Sequence, residues 1–206
     1  MHLLDMGLVN FPTGKILAVD PLVYLDRSAD PYFTTVPTGI FPLTAAVVEE
    51  QENHYRYAAV KVDFNNEQAI YYIEALHSDE DLSELEEAYS GFCVDAGLGT
   101  IVDIEARDAY CDFIEAWEKK NPDYNAYDSF FSEEFKNSQK KFPRFQKQDG
   151  DWINFPLPGT ELSVPMFQSG FGDGFYPVYF GYDGEGRVCR VVVQFIDIAL
   201  SYPEKK

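Results

Sequence analysis

Basic residues are scarce in this chain. Its 206 residues hold 16 Lys and Arg against 35 Asp and Glu, a formal net charge of −19 and a pI near 4.3. Phosphate backbones are bound by basic surface, so nucleic acid is excluded as a direct partner. Cysteine is also sparse: Cys93, Cys111 and Cys189 form no CxxC pair. An odd number without that spacing excludes a disulfide framework and is expected to be buried, reduced thiol in a cytoplasmic protein. The histidines His2, His54 and His77 have neither the i, i+4 spacing of a helical metal pair nor a cysteine close by, so no zinc site is expected, and no cofactor. No apolar run is long enough to span a bilayer, and Met1 to Met6 lack the basic and apolar regions of a signal peptide. The expected location is therefore the cytoplasm, with no membrane partner. No Gly/Ser or Pro-rich linker and no internal repeat divides the chain, so residues 1–206 are expected to form one domain.

What is present is core material. A hydrophobic fraction of 46% and an aromatic fraction of 16% exclude disorder despite the charge. The clearest stretch lies near the C-terminus. There a glycine loop, Ser169 to Gly174, leads into a strand, an Asp183-Gly184 turn and the β-branched run Val188 to Phe195, a β-hairpin that should form the spine of a sheet. Upstream, Pro12 to Lys15 is a turn, Ile16 to Val19 a short strand ending at Asp20-Pro21, and Ile40 to Val48 a strand in which Pro42 demands an edge or a strand start. Tyr55 to Phe64 alternates, with Ala58, Val60, Val62 and Phe64 on one side and Tyr57, Lys61 and Asp63 on the other. Gln68 to Leu76 suits helix or strand equally.

Asp79 to Tyr89 is expected to be an acidic helix, and Gly91 to Asp103 a strand, a glycine turn and a second strand. Asp103 then precedes the stripe Ala106, Tyr110, Phe113 and Trp117, the pattern of a capped, half-buried helix ended by Asn121-Pro122. A further helix is expected over Ser129 to Lys140 and irregular chain over Trp152 to Phe167, with Pro156, Pro158 and Pro165. Lys136 to Lys147 is the one basic island. The fold class is α+β: a mostly antiparallel, strongly twisted sheet with a few helices packed on it, and residues 104–155 a variable helical insertion.

Four patches carry a family resemblance: Pro12 to Leu22, Val36-Pro37-Thr38-Gly39, Gly91 to Asp103 and, most specific, Ser169 to Phe195. Together they resemble the bacterial DUF4241 family, with Phe171 where that family commonly has Trp. The resemblance covers nearly the whole chain apart from about Tyr110 to Phe155, and it implies a fold more than an activity. Domains of this kind look similar to some found near polymorphic-toxin loci.

Asp20, Asp95, Asp103 and Asp173 fall in these patches at strand ends or turns. Gathered in one pocket they would hold a divalent cation or form an acid–base pair, the basis for a metal-assisted hydrolase. Each also has a local role open to it: Asp20 before Pro21, Asp95 in an Asx turn, Asp103 as a helix cap, Asp173 within its glycine loop. That loop is followed by a strand rather than a helix N-terminus, so a Walker or dinucleotide phosphate site is disfavoured, although a small ligand there stays open. Asp183 to Gly186 is a hairpin turn rather than a calcium loop. The acids Glu49, Glu50 and Glu52, and Asp79, Glu80, Asp81, Glu84, Glu86 and Glu87, would form a surface for a basic partner. The leading expectation is an acidic cytoplasmic protein-binding module, such as an immunity protein that neutralises a basic toxin; the hydrolase is the alternative.

Overall fold

A strand that is apolar on both faces must be covered on both sides, and two short segments of this chain are of that kind. The computed structural model describes residues 1–77 and 90–202. Within them the chain runs β1 (His2–Phe11), β2 (Ile16–Val19), β3 (Gly39–Gln51), β4 (His54–Asp63), β5 (Tyr71–Glu74), β6 (Gly91–Val94) and β7 (Leu98–Asp103). Helix α1 (Ile104–Lys120), a π-helical turn (Tyr127–Phe131) and α2 (Ser132–Lys141) follow. Next come β8 (Trp152–Pro156), β9 (Ser163–Gln168), β10 (Gly174–Tyr182), β11 (Val188–Gln194) and the short α3 (Ile198–Ser201).

The doubly covered strands are β2 and β7. Alternate residues of a strand point to opposite faces. Ile16 and Ala18 of β2 and Ile101 of β7 join one core cluster, while Leu17 and Val102 join another, and all six residues of β7 are buried. The small sheet, in the order β2-β7-β9-β8, is therefore the middle of three layers. On one side lies the larger sheet, ordered β1-β3-β4-β11-β10, with β5 and β6 both paired to the far edge of β10. On the other side lie α1 and α2, which bring Ala106, Tyr110 and Phe135 against Leu17, Ile153, Phe155 and Met166. Among the described residues all strand pairings are antiparallel, and the expected α+β class holds.

The C-terminal hairpin lies inside the large sheet as expected, with Val178, Phe180, Val191 and Val193 buried. Pro42 lies inside β3, opposite Leu8 of β1 and one residue before β4 joins at Leu43, so it falls on a stretch with a single neighbouring strand, the edge position of the two expected. Gln68 to Leu76 resolves as strand, since Tyr71 to Glu74 ladder onto β10.

Other segments depart from the sequence expectation. Tyr57 is fully buried rather than outward, because the β3–β4 register shifts between Ala46 and Val47 and places one extra residue, Ala58, in β4. The bulge turns the Tyr57 ring inward, and its hydroxyl donates to the Phe145 carbonyl at 3.2 Å. Trp152 to Phe167 is not irregular: β8 and β9 form a hairpin, and the insertion 104–155 is helical only as far as Lys141. Pro165 fits because β9 meets β7 only at Phe167 and Gln168, leaving Pro165 on a stretch with one neighbour. Cys93 is exposed, whereas Cys111 and Cys189 are buried, and burial pushes both of the latter thiols up. The expected acidic helix over Asp79 to Tyr89 lies outside the described residues.

Phe131 is the centre of the helical layer, with ring centroids 5.1 Å from Phe130, 5.3 Å from Phe155 and 6.1 Å from Tyr110. Phe131→Ala is expected to cost about 3–5 kcal/mol in urea unfolding, because a large cavity opens where no neighbour can collapse. Phe33, 73% exposed, is expected to tolerate Ala within roughly 0.5 kcal/mol. Equal costs at the two positions would contradict the layer assignment.

Candidate functional site

The four aspartates sort into two environments. Asp20 and Asp103 are both fully buried, at opposite ends of β2. Ile16 pairs with Asp103, so a strand rise of about 3.3 Å per residue puts Asp20 about 13 Å away. Asp103 accepts hydrogen bonds from Thr13 N–H at 3.0 Å, Thr13 Oγ1 at 2.8 Å, Gly14 N–H at 3.0 Å and, as the α1 N-cap, Glu105 N–H at 3.0 Å. Gly14 is obligatory there: its φ is +71°, and a Cβ would lie 2.2 Å from the Val36 carbonyl oxygen. Asp20 accepts from Leu22 N–H at 3.0 Å, Asp95 N–H at 3.0 Å and Ala96 N–H at 2.6 Å. Burial raises its carboxyl above the ordinary value, and the backbone donors act against that rise.

Asp95 and Asp173 are exposed. Val94 pairs with Gly174, and the same register carried one step further sets Asp95 beside Asp173. The Asp95 carboxylate accepts from the Tyr24 hydroxyl, which holds that phenol up at about 12. The structure thus brings Asp20, Asp95 and Asp173 to one end of β6 but leaves Asp103 at the far end of β2. Among the described residues no group of three His, Cys, Asp or Glu side chains has metal-holding geometry. Asp183 caps its own hairpin turn, accepting from Glu185 N–H and Arg187 N–H, and these bonds keep its carboxyl below the usual range.

Of the surface acids, Glu50 is spent internally: it lies 2.6 Å from Arg56 and 3.0 Å from His54, and accepts from the Tyr202 hydroxyl. Glu49 accepts from Asn53 N–H, and Glu52 is exposed at the β3–β4 turn. Asp79, Glu80, Asp81, Glu84, Glu86 and Glu87 lie outside the described residues.

A different acidic surface emerges on α1. The loop after β2 is stapled to that helix by Tyr110 Oη donating to the Pro21 carbonyl at 3.0 Å, Arg107 Nη1 to the Ala29 carbonyl at 2.7 Å and Arg27 Nη2 to Asp112 at 2.6 Å. Between loop and helix lies a cleft of about 490 Å³, and past Leu22 a second of about 550 Å³ runs between α1 and residues 122–127. The clefts share Leu22, Tyr110 and Ile114, so they form one groove with an apolar floor. Its rim carries Asp26, Glu115, Glu118 and Asp123, with Tyr124 at 65% and Tyr127 at 46% exposure. Arg27 offsets Asp112 and approaches Glu115 at 3.5 Å; Asp26, Glu118 and Asp123 form no ion pair among the described residues. Sequence patterning did not expose this groove, because its walls come from three separated segments. The only local trace is the alternation of acid and tyrosine in Asp123-Tyr124 and Tyr127-Asp128.

An antiparallel two-sheet α+β chain with this acid-rich groove can be placed in a family. The DUF4241 profile, described as a protein of unknown function, matches residues 9–193, and the chain belongs to that family. Searches of curated proteins and of solved structures returned no match. Among the described residues no helix is long and apolar enough to cross a membrane.

Two substitutions separate architecture from chemistry. Asp103→Asn sets an amide N–H2 against donors that now meet a carboxylate, and is expected to cost about 2–3 kcal/mol in chemical unfolding. An unchanged or increased stability, common when a catalytic acid is removed, would contradict a structural role. For Asp20 the folded carboxyl titrates above its ordinary value of 3.8. Its contribution is thus fully present below that value and is lost as pH rises through the raised one. Wild-type stability measured relative to Asp20→Asn is expected to fall as pH rises from about 4 toward neutrality. A flat or rising difference would contradict the assignment.

Proposed function

We infer that this chain is an acidic cytoplasmic binding module that receives a basic protein on the α1 groove, in the manner of an immunity protein that neutralises a toxin. The observation that carries it is the groove itself: an apolar floor of Leu22, Tyr110 and Ile114, an acidic rim on which Glu118 and Asp123 form no ion pair among the described residues, and exposed tyrosines beside them. Tyrosines are efficient anchors because they bury large area at low entropic cost. Rim carboxylates raise the association rate of a basic partner and penalise acidic ones. The net charge of −19 extends that steering beyond the contact itself. The hydrolase alternative draws no comparable support, since Asp103 is occupied by four protein donors far from Asp95 and Asp173.

The test is affinity capture from the native cell at low salt and at about 0.5 M salt, where exposed charges are strongly screened. A stoichiometric basic partner is expected at low salt and not at high salt. With that partner purified, Glu118→Lys combined with Asp123→Lys is expected to slow association by about tenfold or more, while Glu161→Lys, on the exposed β8–β9 turn, changes it little. Absence of a basic partner, or equal effects at groove and control positions, would overturn the reading.

A further inference from the structure

We propose that the glycine loop before β10 forms a binding site for a small monocarboxylate, separate from the α1 groove. A pocket of about 300 Å³ lies there, between Gly97, Gly150 and the Ser169–Gly172 loop. Cations are rare in this chain, yet Arg56 and Lys147 both line it. Gln168 also lines it, only 8% exposed, and its Nε2 has no hydrogen-bond partner among the described residues. The amide orientation is set by Lys147 Nζ, which lies 3.5 Å from Oε1, so the group left over is the donor.

The other polar atoms divide the same way. Acceptors are taken: the Gly170 carbonyl by Arg56 Nη1 at 2.9 Å, the Gly172 carbonyl by Ser169 Oγ and Tyr176 Oη at 2.7 Å each, and the Asp151 carboxylate by Lys147 N–H at 2.5 Å. Among the described residues donors are left over: Gln168 Nε2, the half-exposed Lys147 ammonium with only a 3.4 Å contact to Asp151 and the 3.5 Å contact to Gln168, and the backbone N–H groups of Gly170 and Phe171. A polar pocket with donors to spare takes a ligand that brings acceptors.

Glycine supplies the shape. Of the nine glycines with left-handed φ among the described residues, four line this pocket: Gly97 at +68°, Gly150 at +92°, Gly170 at +68° and Gly172 at +100°. At Gly97 and Gly172 a Cβ would meet nothing within 4 Å, so there the backbone lies open to a ligand, whereas at Gly150 and Gly170 it would collide with the Phe135 carbonyl at 2.3 Å and Phe195 Cβ at 2.9 Å, so those glycines let the loop pack closely. The two cations have carboxylate partners, Arg56 with Glu50 and Lys147 with Asp151, and the whole chain is strongly negative. That balance suits a single negative charge and disfavours a multiply charged anion. Arg56 stacks 4.9 Å from the Phe171 ring at the loop, closing one side of the site.

The test is a titration of the intact, isotope-labelled protein with acetate, followed by NMR at the Gln168 side-chain amide and the Gly170 backbone amide. Saturable shifts of both are expected with acetate, none with the uncharged isostere acetamide, and weaker response to inorganic phosphate. Lys147→Met, at a half-exposed position that leaves the core intact, is expected to weaken acetate binding about tenfold. Gln168→Glu, which sets a like charge against the ligand, is expected to abolish it if the variant folds. No saturable shift at these two groups, equal response to acetamide, preference for phosphate, or full affinity in Lys147→Met would each overturn the proposal.

Discussion

The carboxylate of Asp103 ties together parts of the chain that are distant in sequence. It ends β7, caps α1 and gathers the Thr13-Gly14 turn that introduces β2. A buried carboxylate is costly unless donors surround it, and here the donors are backbone and hydroxyl groups that themselves need an acceptor. The interaction therefore fixes the turn that leads into β2 and the point at which α1 leaves β7, while the loop after β2 is held to α1 by Tyr110, Arg107 and Arg27. The α1 groove inherits its shape from that arrangement.

The same logic divides the acids of the chain. Some are structural: Asp103 and Asp20 at the ends of β2, Asp183 in the hairpin turn, Glu50 against Arg56. Others stay in water on the rim of the groove, where they cost little and act at a distance. The basic island from Lys136 to Lys147 is similarly partitioned. Lys136 pairs with Glu133, Arg144 lies 4.4 Å over the Phe145 ring, and Lys147 turns to the glycine-loop pocket. An excess of negative charge is thus compatible with a local donor-rich pocket that shares no lining residue with the groove.

Much of the fold could be read from the residues. Strands with clean alternation or bounding turns, β2, β3, β4, β6, β7, β10 and β11, were legible, as were the Asp103 cap and the Gly170 and Gly172 turns. The segments that were not legible share physical causes. β8 and β9 carry prolines that are tolerated because Pro156 ends β8 and Pro165 lies on a stretch of β9 with a single neighbouring strand, a fact of topology. Tyr57 faces inward because a bulge inserts Ala58, and no period-two count anticipates an extra residue. The groove is assembled from Pro21 to Ser28, Tyr110 to Glu118 and Pro122 to Tyr127, which share no local pattern. The aspartates looked like one site because residues at strand ends look alike in sequence, whereas only β2 shows that Asp20 and Asp103 lie at opposite ends of it.

The division of acids into buried and partner-facing sets is tested most directly by carboxyl footprinting with a carbodiimide and an amine, read by mass spectrometry on the free protein and on its complex with the basic partner. The account requires Asp20 and Asp103 to stay unmodified in both states, and Glu118 and Asp123 to label in the free protein and become protected in the complex. Rapid labelling of Asp103 in the free protein, or unchanged labelling of Glu118 and Asp123 on binding, would contradict it.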